Sequence, residues 1–163
     1  MDDANDRQSE RLMALMRRDQ ARAMRLQECE KRQRTVIEAL MAGCAATAKE
    51  KGWDDTERPF TESIALIHSE ASEALEEYRN GKGFGLIYHT PVYAKEPPRR
   101  WWQLWRRPKV VGWKPEGIAA EYADILIRVF HDAHLRGIPL AQALQDKMKF
   151  NATRPYRHGG KVC

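Results

Sequence analysis

Nowhere in its 163 residues does the chain approach 18 consecutive apolar residues, so no segment is suited to span a membrane. Cysteine is scarce: Cys29, Cys44 and Cys163 make an odd number, widely spaced, with no C-x-x-C. That argues against a disulfide framework and against a cysteine-based zinc site, and fits reduced thiols in a cytoplasmic protein. Gly-rich phosphate loops, dinucleotide fingerprints and Ser-His-Asp arrangements are all missing. Ser63 and Ser69 have no placed base, so nucleophilic catalysis finds no support. The first residues, Met1-Asp2-Asp3-Ala4-Asn5-Asp6, are acidic and precede no apolar run, unlike a signal peptide. Proline and glycine are absent from residues 1–34.

What is present is charge, at a length that suits one domain. There are 28 Lys and Arg against 23 Asp and Glu, a formal net of +5, with 42% hydrophobic residues. The positive balance is local. Residues 81–115 hold eight basic residues and one acid, Glu96, for +7, which leaves the rest of the chain at −2.

Hydrophobic periodicity predicts helices. In residues 1–34 a thin stripe, Leu12, Leu15, Met16, Ala23 and Leu26, gives an N-terminal arm, helical or partly disordered, that packs weakly unless a partner covers it. A fuller stripe, Val36, Ile37, Leu40, Met41, Cys44 and Ala48, runs to Lys51-Gly52, where Gly is a natural stop. Residues 61–80 show a 3.6-residue period through Ile64, Ile67, Ala71 and Tyr78, with Thr61 as the expected N-cap. Residues 116–136 repeat it through Ile118, Tyr122, Ile125, Val129 and Ala133, with Pro115-Glu116 opening the helix. Residues 139–151 give a last helix. Between them, 81–115 holds four of the five tryptophans and five of the eight prolines. Leu86-Ile87-Tyr88 and Lys109-Val110-Val111 are candidate strands of a small hairpin there. The fold expected is all-α, a bundle of four to five helices without βαβ alternation.

Two carboxylate pairs carry chemistry. Glu70 and Glu73 lie three apart on one predicted helix, and Glu121 and Asp124 three apart on another. Residues i and i+3 share a helix face. Both pairs border the apolar stripe, flanked by small residues such as Ala71, Ala74 and Ala123. Packed together, such helices gather four carboxylates, which repel one another unless a cation sits among them. Mg²⁺ prefers hard oxygen ligands and commonly links carboxylates to phosphates. Lys147 and Asn151, four apart on the last helix, pair an ammonium for phosphate with an amide for a base or sugar edge.

These stretches resemble the MazG-like all-α nucleoside triphosphate pyrophosphohydrolases, relatives of the dimeric dUTPases and dCTP pyrophosphatases. The matching pieces are Glu50-Lys51-Gly52-Trp53, Ile64 to Glu76, Lys114 to Arg128 and Lys147 to Lys161, in the family's order. The resemblance implies that Glu70, Glu73, Glu121 and Asp124 bind Mg²⁺, with Mn²⁺ as a substitute. It implies cleavage of a nucleoside triphosphate between its α and β phosphates, giving the monophosphate and pyrophosphate, as in housecleaning of nucleotide pools. Glu70, with Glu73, would orient or deprotonate the attacking water. Lys147, Asn151 and Arg154 would touch the substrate. The domain implied is 35–163, with 81–115 as a basic, Trp-rich insertion and 1–34 as an added arm. The chain departs from the family pattern at Ser69, where a second Glu is usual, and in the long gap from Glu73 to Glu121.

Other readings are weaker. His131 and His134 are three apart but lack further zinc ligands in register. His68 reads as a packing residue. The stretch Arg99-Arg100-Trp101-Trp102-Gln103-Leu104-Trp105-Arg106-Arg107 suits a lid or subunit contact, and alternatively the surface of a helical nucleic-acid-binding module or a segment lying on a membrane surface. The thin core and uncovered arm predict a homodimer or homotetramer.

Overall fold

A computed structural model describes residues 2–53, 58–94 and 108–156, with side chains from residue 11 onward. Among them are four helices and two strands: α1 (Asp2–Glu50), α2 (Phe60–Arg79), β1 (Tyr88–Tyr93), β2 (Val110–Glu116), α3 (Ile118–Leu135) and α4 (Leu140–Thr153). The architecture is mostly helical, as the periodicity predicts, with a small sheet added. The Arg-Trp stretch 99–107 and Cys163 lie outside the described residues.

The arm and the first apolar stripe are one helix. Residues 2–50 contain no Pro and a single Gly, and are rich in Ala, Arg, Leu, Met and Gln, all strong helix formers. The polar run at Glu30–Arg34 therefore passes without a break. Every side chain from Arg11 to Cys29 is exposed, and burial begins at Glu30, where α4 arrives. The helix ends as its sequence suggests. Gly52 adopts φ +81, and the N–H groups of Gly52 and Trp53 return to the carbonyls of Lys49 and Ala48.

α2 packs on α3, and α1 packs on α3 and α4. The buried apolar residues are Met41, Ala45, Ala74, Ile118, Ala133 and Ala141, mostly alanines, which let helix backbones approach closely. α4 runs antiparallel to α1. Gln145 donates to the Glu30 carbonyl at 2.5 Å, Lys149 meets the Glu30 carboxylate at 2.8 Å, and Arg34 donates to Gln145 at 3.1 Å and to Gln142.

Several boundaries differ from expectation. Thr61 is not the N-cap of α2. Pro59 is, and its carbonyl accepts from the N–H groups of Glu62 and Ser63. The hairpin forms, but Leu86 and Ile87 precede β1, which begins at Tyr88. Pro115 and Glu116 do not open α3. They end β2, with Tyr88 opposite Glu116 and Tyr93 opposite Val110 in antiparallel register. Proline fits there because β2 is an edge strand of a two-stranded sheet. Gly117 turns the chain from strand to helix at φ +111, and a Cβ there would lie 2.5 Å from the Leu86 carbonyl oxygen. Only glycine fits both demands.

Candidate functional site

α2 and α3 face each other along the carboxylate pairs. Glu70 and Glu121 are buried at 5% and 3% exposure, whereas Glu73 is exposed and Asp124 half-buried. One carboxylate oxygen each from Glu70, Glu73 and Glu121 lies within 4.8 Å of the others. Asp124 stands outside that trio but close enough for its charge to act on Glu121 and to feel that of Glu70. Among the described residues this is the one group of His, Cys, Asp or Glu spaced to hold a metal ion, so His131 and His134 form no such site.

The electrostatics show the cost of the arrangement. Burial, and then the charge of Glu73, push the Glu121 carboxyl above its ordinary range, against the pull of Lys114. Burial, and then Glu70, do the same to Asp124, opposed by Lys114 and Arg128. Glu121 Oε2 is buried with no hydrogen-bond partner. Buried polar atoms are rarely left so, and a proton or a cation among these carboxylates would relieve it. An all-oxygen donor set of this kind fits Mg²⁺ or Mn²⁺.

Two cations frame the cluster. Arg128 reaches across from α3 and donates to Glu70 Oε1 at 2.5 Å. Lys114, on β2, is held 3.0 Å from Glu116 Oε2, while Thr90 on β1 donates to Glu116 Oε1 at 3.0 Å. That hydrogen bond to Glu116 raises the Lys114 ammonium above its ordinary value, with Glu121 and Glu73 adding to it. The hairpin is further tied to α2 by Tyr88, whose hydroxyl donates to Glu77 at 3.1 Å. Sequence reasoning missed these framing residues, although a signal existed. Arg128 is four residues past Asp124 and seven past Glu121, hence on the same face. Lys114 and Glu116 alternate on one face of a strand.

A cleft of about 880 Å³ opens between α1, α2 and α3, with Leu40, Cys44, Trp53, Leu66, Asp124 and Arg128 among its lining. Burial raises the Cys44 thiol above its ordinary value, in keeping with a half-buried packing residue. The predicted substrate residues lie elsewhere. Lys147, Asn151 and Arg154 are exposed at the end of α4, where Lys147 and Arg154 flank the Phe150 ring at 5.9 and 5.7 Å. α4 meets α1 at Glu30 and Arg34, whereas Asp124 shares the cleft with Leu40 to Ala48. At 1.5 Å per residue, roughly 9–27 Å of helix separates those positions, and α4 packs on α1 while α2 packs on α3. Within one chain the carboxylates therefore come together and the α4 residues do not join them.

Comparison of the chain with protein-family models, curated proteins and solved structures finds no match.

Proposed function

We propose that the chain is a Mg²⁺-dependent pyrophosphohydrolase of nucleoside triphosphates, MazG-like in its helical bundle, that releases a nucleoside monophosphate and pyrophosphate and cleanses the cytoplasmic nucleotide pool. The observation that carries this reading is the trio Glu70, Glu73 and Glu121, drawn from two helices, with a buried oxygen of Glu121 left without a partner. Glu70, Glu73, Glu121 and Asp124 would hold the ion. Bound there, it would neutralise phosphate oxygens and acidify a coordinated water. Phosphoanhydride hydrolysis needs little beyond charge neutralisation and an aligned water.

The chain's own residues supply the alignment. Arg128 fixes the Glu70 carboxylate from one side, so its free oxygen has a defined direction for orienting water. Glu73, exposed at the rim, is placed to accept a proton and pass it to solvent. Lys114 presents an ammonium beside the cluster for a phosphate oxygen. The adjoining cleft falls within the size range of small-ligand sites and suits a base and sugar.

The same reading includes a homo-oligomer. Leu12, Met16, Leu40, Trp53, Tyr122 and Leu126 are among the chain's exposed apolar side chains. Lys147, Asn151 and Arg154 would then meet substrate across an interface between copies. Pyrophosphate release from a panel of NTPs and dNTPs with Mg²⁺ tests the activity. At least one nucleotide is hydrolysed, and Glu70→Ala and Asp124→Ala each abolish turnover. If every nucleotide is left intact, or either variant keeps full activity, the reading fails. Mixing Glu70→Ala chains with Lys147→Ala/Asn151→Ala chains restores part of the activity. No restoration would rule out a site shared between copies.

A further inference from the structure

The middle of α1, residues 11–34, carries a concentration of positive charge that the hydrolase reading leaves unused, after an acidic start at residues 2–10. Residues 11–34 hold eight Arg or Lys and three acids, Asp19, Glu28 and Glu30, for a net of +5. The arginines are ordered. At about 100° per residue, Arg11, Arg18, Arg22, Arg25 and Arg32 fall within one arc of about 80°. The other residues of that arc are Ala14 and Cys29, too small to cover a guanidinium, and no acid shares it. The face that carries Met41 and Ala45 into the core continues through Leu12, Met16 and Ala23, about 150° away. The arginines therefore point aside from the bundle, and all five are exposed.

Among the described residues, most of these charges are without an ion pair. Arg32 shares an exposed ion pair with Glu28 at 3.0 Å. Among the described residues, no carboxylate pairs with Arg18, Arg22 or Arg25. Arg18 and Arg22 are four apart, and Arg22 and Arg25 three apart, spacings at which like charges destabilise a helix. An external polyanion would relieve that repulsion.

The shape of the stripe selects the polyanion. From Arg11 to Arg32 it runs about 31 Å along an unbroken helix, close to the ~34 Å turn of a B-form duplex. Guanidinium groups bind phosphate oxygens in pairs. Residues 2–50 contain no aromatic side chain, which removes the stacking that single-strand binders use and the aromatic anchors of a helix lying on a membrane. Asp19 further interrupts the apolar face. We infer that residues 11–32 of α1 form a docking face for the phosphate backbone of double-stranded nucleic acid.

The test is fluorescence anisotropy of a labelled DNA duplex with the full chain, between about 50 and 200 mM salt. Five phosphate contacts give a slope of log affinity against log salt near −4.5, from about −0.9 per contact. The triple variant Arg18→Gln/Arg22→Gln/Arg25→Gln lowers the slope to about −2 and weakens binding at least ~10-fold at low salt. Gln is as good a helix former as Arg, so far-UV circular dichroism and melting temperature stay as in the parent. The corresponding triple Lys variant keeps the slope. Cys29, exposed within the stripe, is protected from alkylation by the duplex, while half-buried Cys44 reacts at an unchanged rate. A parent slope shallower than about −2, a triple Gln variant that binds like the parent, or an unprotected Cys29 overturns the inference. So does tighter binding to a single strand of equal length or to vesicles of anionic lipid, or binding that vanishes only when residues 99–107 are replaced.

Discussion

If the carboxylates hold Mg²⁺ as proposed, the effect of replacing Glu121 by Gln on stability reverses in sign when the ion is added, because the crowded carboxylates destabilise the metal-free fold. Glu121 is 3% exposed, and one of its oxygens lacks a hydrogen-bond partner. An unsatisfied buried polar atom costs about 1–3 kcal/mol. Repulsion from Glu73 across 4.8 Å adds about 0.9 kcal/mol in bulk water and about 3.5 kcal/mol at an effective dielectric near 20. Glu73 is exposed, so the lower figure governs. An amide at position 121 removes the charge and offers an N–H to Glu70 or Glu73. Metal-free Glu121→Gln therefore gains about 2 kcal/mol, or about 4–8 °C in melting temperature for a chain of this length. With Mg²⁺ at 100 times its dissociation constant the parent gains about 2.7 kcal/mol and the variant much less. The assay is thermal unfolding by circular dichroism at one fixed chain concentration, with EDTA and then with Mg²⁺. A variant that melts below the parent in EDTA would refute the reasoning. Equal stabilisation of both proteins by Mg²⁺ would do the same.

Three further outcomes follow from the geometry. Arg128→Met strips Glu70 of its partner and costs about 2–3 kcal/mol, discounted because the arginine is partly exposed; Arg128→Lys recovers part of the loss, read as a shift in urea midpoint at constant slope. Glu121 and Asp124 have raised carboxyls in the fold, so their stabilising contribution is complete below the ordinary carboxylate range, about pH 4, and is lost as pH rises through the raised values. The metal-free parent, measured against Glu121→Gln/Asp124→Asn, thus loses melting temperature as pH rises from the ordinary carboxylate range; a flat difference counts against the cluster's repulsion. Gly117→Ala forces a Cβ to within 2.5 Å of the Leu86 carbonyl at φ +111, and lowers stability by about 2 kcal/mol or more, whereas Gly112→Ala, which meets open space, stays within about 1 kcal/mol.

The helices were legible because their stripes are periodic. α2 and α3 begin and end within about two residues of the sequence reading, and the pairs Glu70/Glu73 and Glu121/Asp124 follow from i, i+3 spacing alone. Local signals competed where the text was misread. Thr61 is a good capping residue, but Pro59 already fixes the backbone dihedral that starts α2. Pro115 is a good first helical residue, but pairing with β1 extends the strand to Glu116 and leaves the turn to Gly117. Arg128 and Lys114 were invisible as site residues because their partners, Glu70 and Glu116 with Thr90, are set by tertiary packing and strand register. The direction of α4 is likewise set by contacts of Gln145 and Lys149 with Glu30, more than 100 positions away in the chain. No periodicity announces such contacts.

The unbroken course of α1 acts as a ruler. Its 49 residues span about 74 Å, without a proline hinge. From Arg18 on the arm to Cys44 in the cleft is about 39 Å along one rigid rod. Measured the same way, Arg32 at the near end of the stripe is about 18 Å from Cys44 and Arg11 at the far end about 50 Å. On the proposed readings, the rod would set a ligand of the arginine stripe beside the cleft and not in it, so that a small nucleotide could enter and leave while the arm stays engaged.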